Sequence, residues 1–87
     1  MYSLEVDDKC AKELKGYTER NRGLQEQITK KVEQILEQPL HYKPLRGKGF
    51  GLRRVHIGSF VLLFAVDETE KVVRLVRFGS HDEAYQF

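Results

Sequence analysis

LRRVHIGSFVLLFAVDETEKVVRLVRF, residues 52–78, decides how this chain folds. Two apolar-rich runs, Leu52–Ile57 and Phe60–Val66, are separated by Gly58-Ser59, a dipeptide suited to a two-residue hairpin turn with φ above zero. A polar turn, Asp67–Lys71, leads to a third run, Val72–Phe78. The spacing predicts three consecutive strands. Within the first, side chains alternate, so Arg54 and His56 share one face while Val55 and Ile57 share the other. In the third, Val73, Leu75 and Arg77 oppose Arg74, Val76 and Phe78, and periodicity leaves open which set faces a core.

Upstream, Tyr2, Leu4 and Val6 alternate and predict a short strand. Asp7 and Asp8 are suited to cap a helix, and Cys10, Ala11, Leu14 and Tyr17 follow at helical spacing, predicting a helix over 8–20. Arg20–Gly23 reads as a turn. Leu24, Ile28, Val32, Ile35 and Leu36 predict a second helix over 22–37, stopped by Pro39. The segment 41–51, HYKPLRGKGFG, reads as a loop, and the last nine residues, GSHDEAYQF, as a tail or final short turn. The order β-α-α-β-β-β gives an α+β domain. Its N-terminal helical hairpin packs on one face of a small, mainly antiparallel sheet and leaves the other face free.

With 87 residues, 1–87 is a single domain. One cysteine excludes a disulfide scaffold, and a lone thiol fits a reducing compartment. No apolar run reaches membrane-spanning length, and MYSLEVDDKC lacks signal-peptide character, so a cytoplasmic location is expected. Charge is segregated. Residues 1–38 carry seven Lys/Arg and eight Asp/Glu, while 39–87 carry eight and five. Lys43, Arg46, Lys48, Arg53 and Arg54 fall between Pro39 and Val66 with no acid among them, and His41, His56 and His81 share this half. Such a stretch suits an anionic partner, nucleic acid first, and also reads as a solvated basic surface.

Imidazole exchanges protons near neutrality and guanidinium grips phosphate in a fork. Together they can break a phosphodiester by proton transfer and charge stabilisation. His56, His81, Arg54 and Arg77, with Lys43 and Arg46 from the loop, are the candidates. The histidine spacing is not a metal-ligand motif, and no cofactor motif is present; GKGFG lacks the Lys-Ser/Thr of a phosphate-binding Walker loop. Cys10 falls on the apolar stripe of its helix and reads as core.

The ordered set MYSLEV, EQPLHYKPLRG, GLRRVHIG, SFVLLFAVD and KVVRLVRFGSHDEAY resembles the RelE/ParE superfamily of toxins from type II toxin–antitoxin pairs. The tail GSHDEAY is closest to its YafQ-like branch. The resemblance implies a microbial ribonuclease-like fold and, for RelE-type members, metal-independent endoribonuclease activity on mRNA at the ribosome, silenced by an antitoxin in a heteromeric complex. ParE-type members instead inhibit DNA gyrase. The resemblance matches Arg54 and His56 to basic positions of the second strand, Arg77 to an arginine before the glycine, His81 to the tail histidine, and Tyr85 to the terminal aromatic. Those five are the expected catalytic residues, with Lys43, Arg46, Lys48 and Arg53 binding substrate. Lys43 stands where the YafQ-like branch has histidine. Arg53 stands where many relatives have an aromatic, and Val61 where many have arginine, which also admits a catalytically degenerate toxin.

Overall fold

The computed structural model describes residues 1–46 and 51–85. The elements are β1 (Ser3–Val6), α1 (Asp8–Thr18), α2 (Arg22–Glu37), a 3-10 turn (Pro39–His41), β2 (Leu52–Ile57), β3 (Phe60–Asp67), β4 (Val72–Ser80) and α3 (His81–Ala84). The four strands form one sheet in the order β1-β4-β3-β2. β2–β3 and β3–β4 are antiparallel, and β1 is parallel to β4, with Ser3 opposite Val72 and Val6 opposite Leu75. Gly58 makes the β2–β3 turn at φ +61°, the left-handed conformation such a tight hairpin needs.

The helices cover one face. Cys10, Leu24, Ile28 and Ile35 pack with Val55, Ile57, Leu62, Phe64, Val73, Leu75 and Phe78 in the main core. Both helices sit where the apolar period put them, though α1 ends at Thr18, two residues early. Asp7 occupies the N-cap position of α1 but its side chain makes no capping bond; it lies 3.7 Å from the Arg74 guanidinium instead. Asn21 caps α2, accepting from the Leu24 N–H at 3.0 Å.

The expectation of a free second sheet face needs correction. Val61, Leu63 and Ala84 are buried there in a smaller core, with Leu45, Leu52 and Tyr85 packed against it. Every side chain from Val61 to Phe64 is therefore buried, alternately to the two faces, which explains the unbroken apolar run of β3. The tail is the reason. It folds into α3, closed by a reciprocal cap. The Ser80 hydroxyl accepts from the Glu83 N–H at 3.4 Å, while Glu83 Oε1 accepts from the Ser80 N–H at 3.3 Å.

The ambiguity over β4 has a physical answer. The β3–β4 register jumps between Leu63, opposite Arg77, and Phe64, opposite Leu75, so Val76 is an extra residue in β4. A bulge of this kind inverts the alternation. Val73, Leu75 and Phe78 all reach the main core, and Arg77 takes the opposite face with Leu63.

Candidate nucleic-acid cleavage site

β2 supplies the first groups. In register, Arg54 lies opposite Leu63 and His56 opposite Val61, so both take the face of the smaller core. His56 is exposed and Arg54 partly so. The loop before β2 runs along its outer edge. Pro44 bridges to Arg53, the Leu45 N–H donates to the Leu52 carbonyl at 2.7 Å, and the Arg54 N–H donates to the Lys43 carbonyl at 3.3 Å. Lys43, Pro44, Leu45, Arg46 and Arg54 then line a groove whose three ionisable groups are all cationic.

α3 supplies the second set. His81 and Tyr85 are four residues apart on one side of this turn, their rings 4.6 Å apart and tilted by 58°. The His81 side chain is two-thirds exposed, with Nδ1 at 3.8 Å from the exposed Asp82 carboxylate. Arg54 Nη1 donates to the Tyr85 hydroxyl oxygen across 3.4 Å, a long bond. An imidazole, a phenol and a guanidinium thus stand in a line at the edge of the cationic groove. Among the described residues no carboxylate pairs with Arg54. Glu5, Asp67 and Glu70, with Arg74 as the one cation, line a notch at the other end of this sheet face, so acids predominate there.

Two expected site residues are differently employed. Arg53 takes the other face, opposite Phe64 of the main core, and its Nη1 donates to the carbonyls of Tyr42 at 2.6 Å and Leu40 at 3.5 Å. Those bonds fasten the 3-10 turn to β2 and keep this guanidinium out of the groove. Arg77 is on the site face but mostly buried, with a side chain 12% exposed. Its Nε donates to Glu13 Oε2 at 3.3 Å and its Nη2 to the Glu83 carbonyl at 2.9 Å. It braces α3 against α1. Lys48 lies outside the described residues. Val61, where the resemblance leads to an expectation of arginine, is 1% exposed in the smaller core with Ala84 of α3.

Glu13, Tyr17 and Glu83 are the residues the sequence reading missed. Glu13 Oε1 accepts the Phe78 N–H at 3.0 Å, a group that β1 does not reach. The Tyr17 hydroxyl donates to Glu83 Oε1, and its ring packs edge-on to Phe60 and Phe78. These bonds, from Tyr17 first and Ser80 next, hold the Glu83 carboxyl below its usual range, and the same carboxylate raises the Tyr17 phenol. The signal for Glu83 was present in Ser80-x-x-Glu83, the spacing of a capping box. Nothing local to α1 marks Glu13 or Tyr17. Cys10 takes no part; burial, with Glu13 and Asp7 adding to it, pushes its thiol up to about 12. Among the described residues no three His, Cys, Asp or Glu are grouped to hold a metal ion, and no helix is long and apolar enough to cross a membrane.

A helical pair on a mixed four-stranded sheet, with a basic groove and a C-terminal imidazole, defines a small toxin-like fold, and comparison with known proteins gives the family. The family model described as the ParE toxin of type II toxin–antitoxin systems matches residues 4–85. A Methanocaldococcus jannaschii protein named "Putative toxin RelE4" is 41% identical over 87 residues, covering 99% of this chain and 93% of that one. A metal-bound toxin from Helicobacter pylori superposes with a TM-score of 0.82 at 32% identity, covering 98% of this chain and all of that one. RelE in the Escherichia coli RelBE toxin–antitoxin complex superposes at 0.73 with 26% identity, over 92% and 96% of the two chains. The chain belongs to the ParE toxin family, within the RelE/ParE superfamily of type II toxin–antitoxin toxins.

Proposed function

We propose that this toxin is an mRNA endoribonuclease that acts on the ribosome without metal and is silenced by a cognate antitoxin. The observation that carries the reading is the line His81–Tyr85–Arg54 at the edge of the Lys43–Arg46 groove. Arg54, Lys43 and Arg46 bind phosphate oxygens. One imidazole, of His81 or His56, takes the proton of a ribose 2′-hydroxyl. The 2′-oxygen bonds to the adjacent phosphorus, the bond to the 5′-oxygen breaks, and the second imidazole returns a proton to that oxygen. The product ends are a 2′,3′-cyclic phosphate and a 5′-hydroxyl. Arg54 offsets the charge that develops on the phosphorane. Tyr85 stacks on a base or assists the proton transfer.

General acid–base catalysis contributes about 10²–10⁴-fold, so positioning of mRNA by the ribosome supplies much of the rest. The test is cleavage of mRNA on translating ribosomes, with the 3′ end analysed for a cyclic phosphate. His81→Ala should slow cleavage at least about tenfold, the low side of the acid–base range, with the fold retained. An undiminished rate removes His81 from the mechanism.

The antitoxin is a chain with an apolar face, and acidic residues on it would cover the Lys43–Arg46–Arg54 groove. The outer edge of β1 is unpaired among the described residues, and its Leu4 and Val6 are exposed, as are Met1 and Leu40. An added strand or an amphipathic helix would cover it. Co-expression with the adjacent reading frame should give a complex and relieve toxicity; a failure of both would leave the pairing without support. A ParE-type gyrase inhibitor is the second reading, favoured by the family model itself. Loss of supercoiling by gyrase, with mRNA left intact on ribosomes, would establish it instead.

A further inference from the structure

α3 has four residues, far too few to persist as a helix unaided. Its one buried side chain is Ala84, which offers a single methyl to Val61 and Leu63. The Tyr85 ring also rests on that small core, but among the described residues the only ring beside the exposed His81 is that of Tyr85, so polar contacts carry much of the task of fixing the turn. At 3.6 residues per turn, Glu83 projects on the side away from His81 and Tyr85, toward α1. Glu83 Oε1 accepts three bonds, from the Tyr17 hydroxyl at 2.5 Å, the Ser80 hydroxyl at 2.8 Å and the Ser80 N–H at 3.3 Å. Glu13, one turn before Tyr17 on α1, holds Arg77, which in turn grips the Glu83 carbonyl.

We propose that Tyr17 and Glu83 are positioning residues of the cleavage site, a clamp between α1 and the C-terminal turn that sets where His81 and Tyr85 stand relative to Arg54. The inference rests on the nuclease reading, but its physical core, that the clamp orders the turn, is separately measurable. Glu83 touches no substrate; it acts through the orientation of its neighbours two residues away on either side.

The experiment compares Glu83→Ala, Glu83→Gln and Tyr17→Phe with wild type in two measurements. The first is mRNA cleavage on ribosomes, read as kcat and KM. The second is NMR of the isolated protein, following amide exchange at Ala84 and the His81 ring resonances. Glu83→Ala should lower kcat about tenfold or more, as a displaced catalytic group does, with KM little changed. It should also abolish Ala84 protection and move the His81 resonances to those of a free imidazole. Glu83→Gln keeps an acceptor oxygen for all three donors and should recover most of both losses. Tyr17→Phe deletes one donor and keeps the ring packing on Phe60 and Phe78, so it tests the clamp even if Glu83→Ala fails to fold. Wild-type kcat with wild-type Ala84 protection in Tyr17→Phe and Glu83→Ala would overturn the proposal. A wild-type protein that cuts no mRNA would sink the nuclease reading and the positioning role with it. The exchange data would then decide only whether the clamp orders the turn.

Discussion

Arg54→Ala is the perturbation with the most readable consequence. Arg54 lies on the site face of β2, partly exposed, and among the described residues its side chain makes one hydrogen bond, the 3.4 Å contact to Tyr85. Removing so long a bond should cost the fold little, well under about 1 kcal/mol. On RNA the loss is larger, because a charge-assisted hydrogen bond is worth about 1.5–3 kcal/mol, or roughly 10–150-fold in affinity. Each phosphate neutralised on a single strand contributes about 0.7 to the slope of log affinity against log salt. Between 50 and 200 mM salt that is a factor of about 2.6, so the mutant should weaken less with salt by that factor. RNA binding measured by fluorescence anisotropy across that range reads both quantities. Arg54→Lys should recover part of the affinity and the full salt slope, since an ammonium keeps the charge and lacks the planar fork. Cleavage should fall by similar factors at every codon, because phosphate contacts carry no sequence information directly. An unchanged slope and affinity in Arg54→Ala, or altered codon choice at an unaltered rate, would refute the phosphate role.

Val61→Ala removes two buried methyl groups from beneath α3, worth about 2 kcal/mol with the cavity left behind, and should lower the melting temperature by about 8–16 °C. An unshifted melt would mean that the smaller core contributes nothing. The Tyr17–Glu83 bond should show in pH dependence. A depressed carboxyl stabilises above its ordinary value of 4.5 and loses that contribution as pH falls through its folded value. A raised phenol stabilises below its ordinary value of 10.0 and loses that contribution as pH rises through its folded value. The difference in melting temperature between wild type and Tyr17→Phe should therefore be flat from about pH 5 to about pH 9 and shrink beyond both ends. A difference constant across the whole range would contradict the bond. Cys10, fully buried and with its thiol raised to about 12, should react with an alkylating reagent at pH 8 about three orders of magnitude more slowly than a free thiol, and at the free rate in denaturant. Rapid labelling of the native protein would show that the main core opens readily.

The strands and helices were legible because burial on one face imposes a period, and Leu24–Leu36 and Leu52–Ile57 obey it closely. Arg54 and His56 could be assigned together for the same reason. The pleat also separated Arg53 from its neighbour, so its place on the opposite face was readable, although charge alone had grouped it with the groove. Arg77 was not readable. Its face depends on one extra residue, Val76, and a bulge leaves no mark in an apolar run that both registers satisfy. Nor was the smaller core foreseen, though FVLLFAV is too apolar for a strand with one wet face. The clamp was hidden for another reason: Tyr17 and Glu83 are 66 residues apart in sequence, and no local pattern links them.

The parallel pairing of β1 with β4 has a consequence for synthesis. Ser3 meets its partner Val72 only when the 68 residues between them have been made. Helices can form early, but three of the four strands of the sheet that buries their apolar sides are encoded after residue 51. Contacts this distant in sequence form late and slowly. A nascent chain therefore carries an unpaired first strand and two half-exposed helices until β4 has emerged, and α3, with His81 and Tyr85, follows β4. Any frameshift or truncation before Val72 removes β4 with everything that follows it, so a partial product lacks the assembled site. Synthesis of β4 and α3 is then the step that assembles the site.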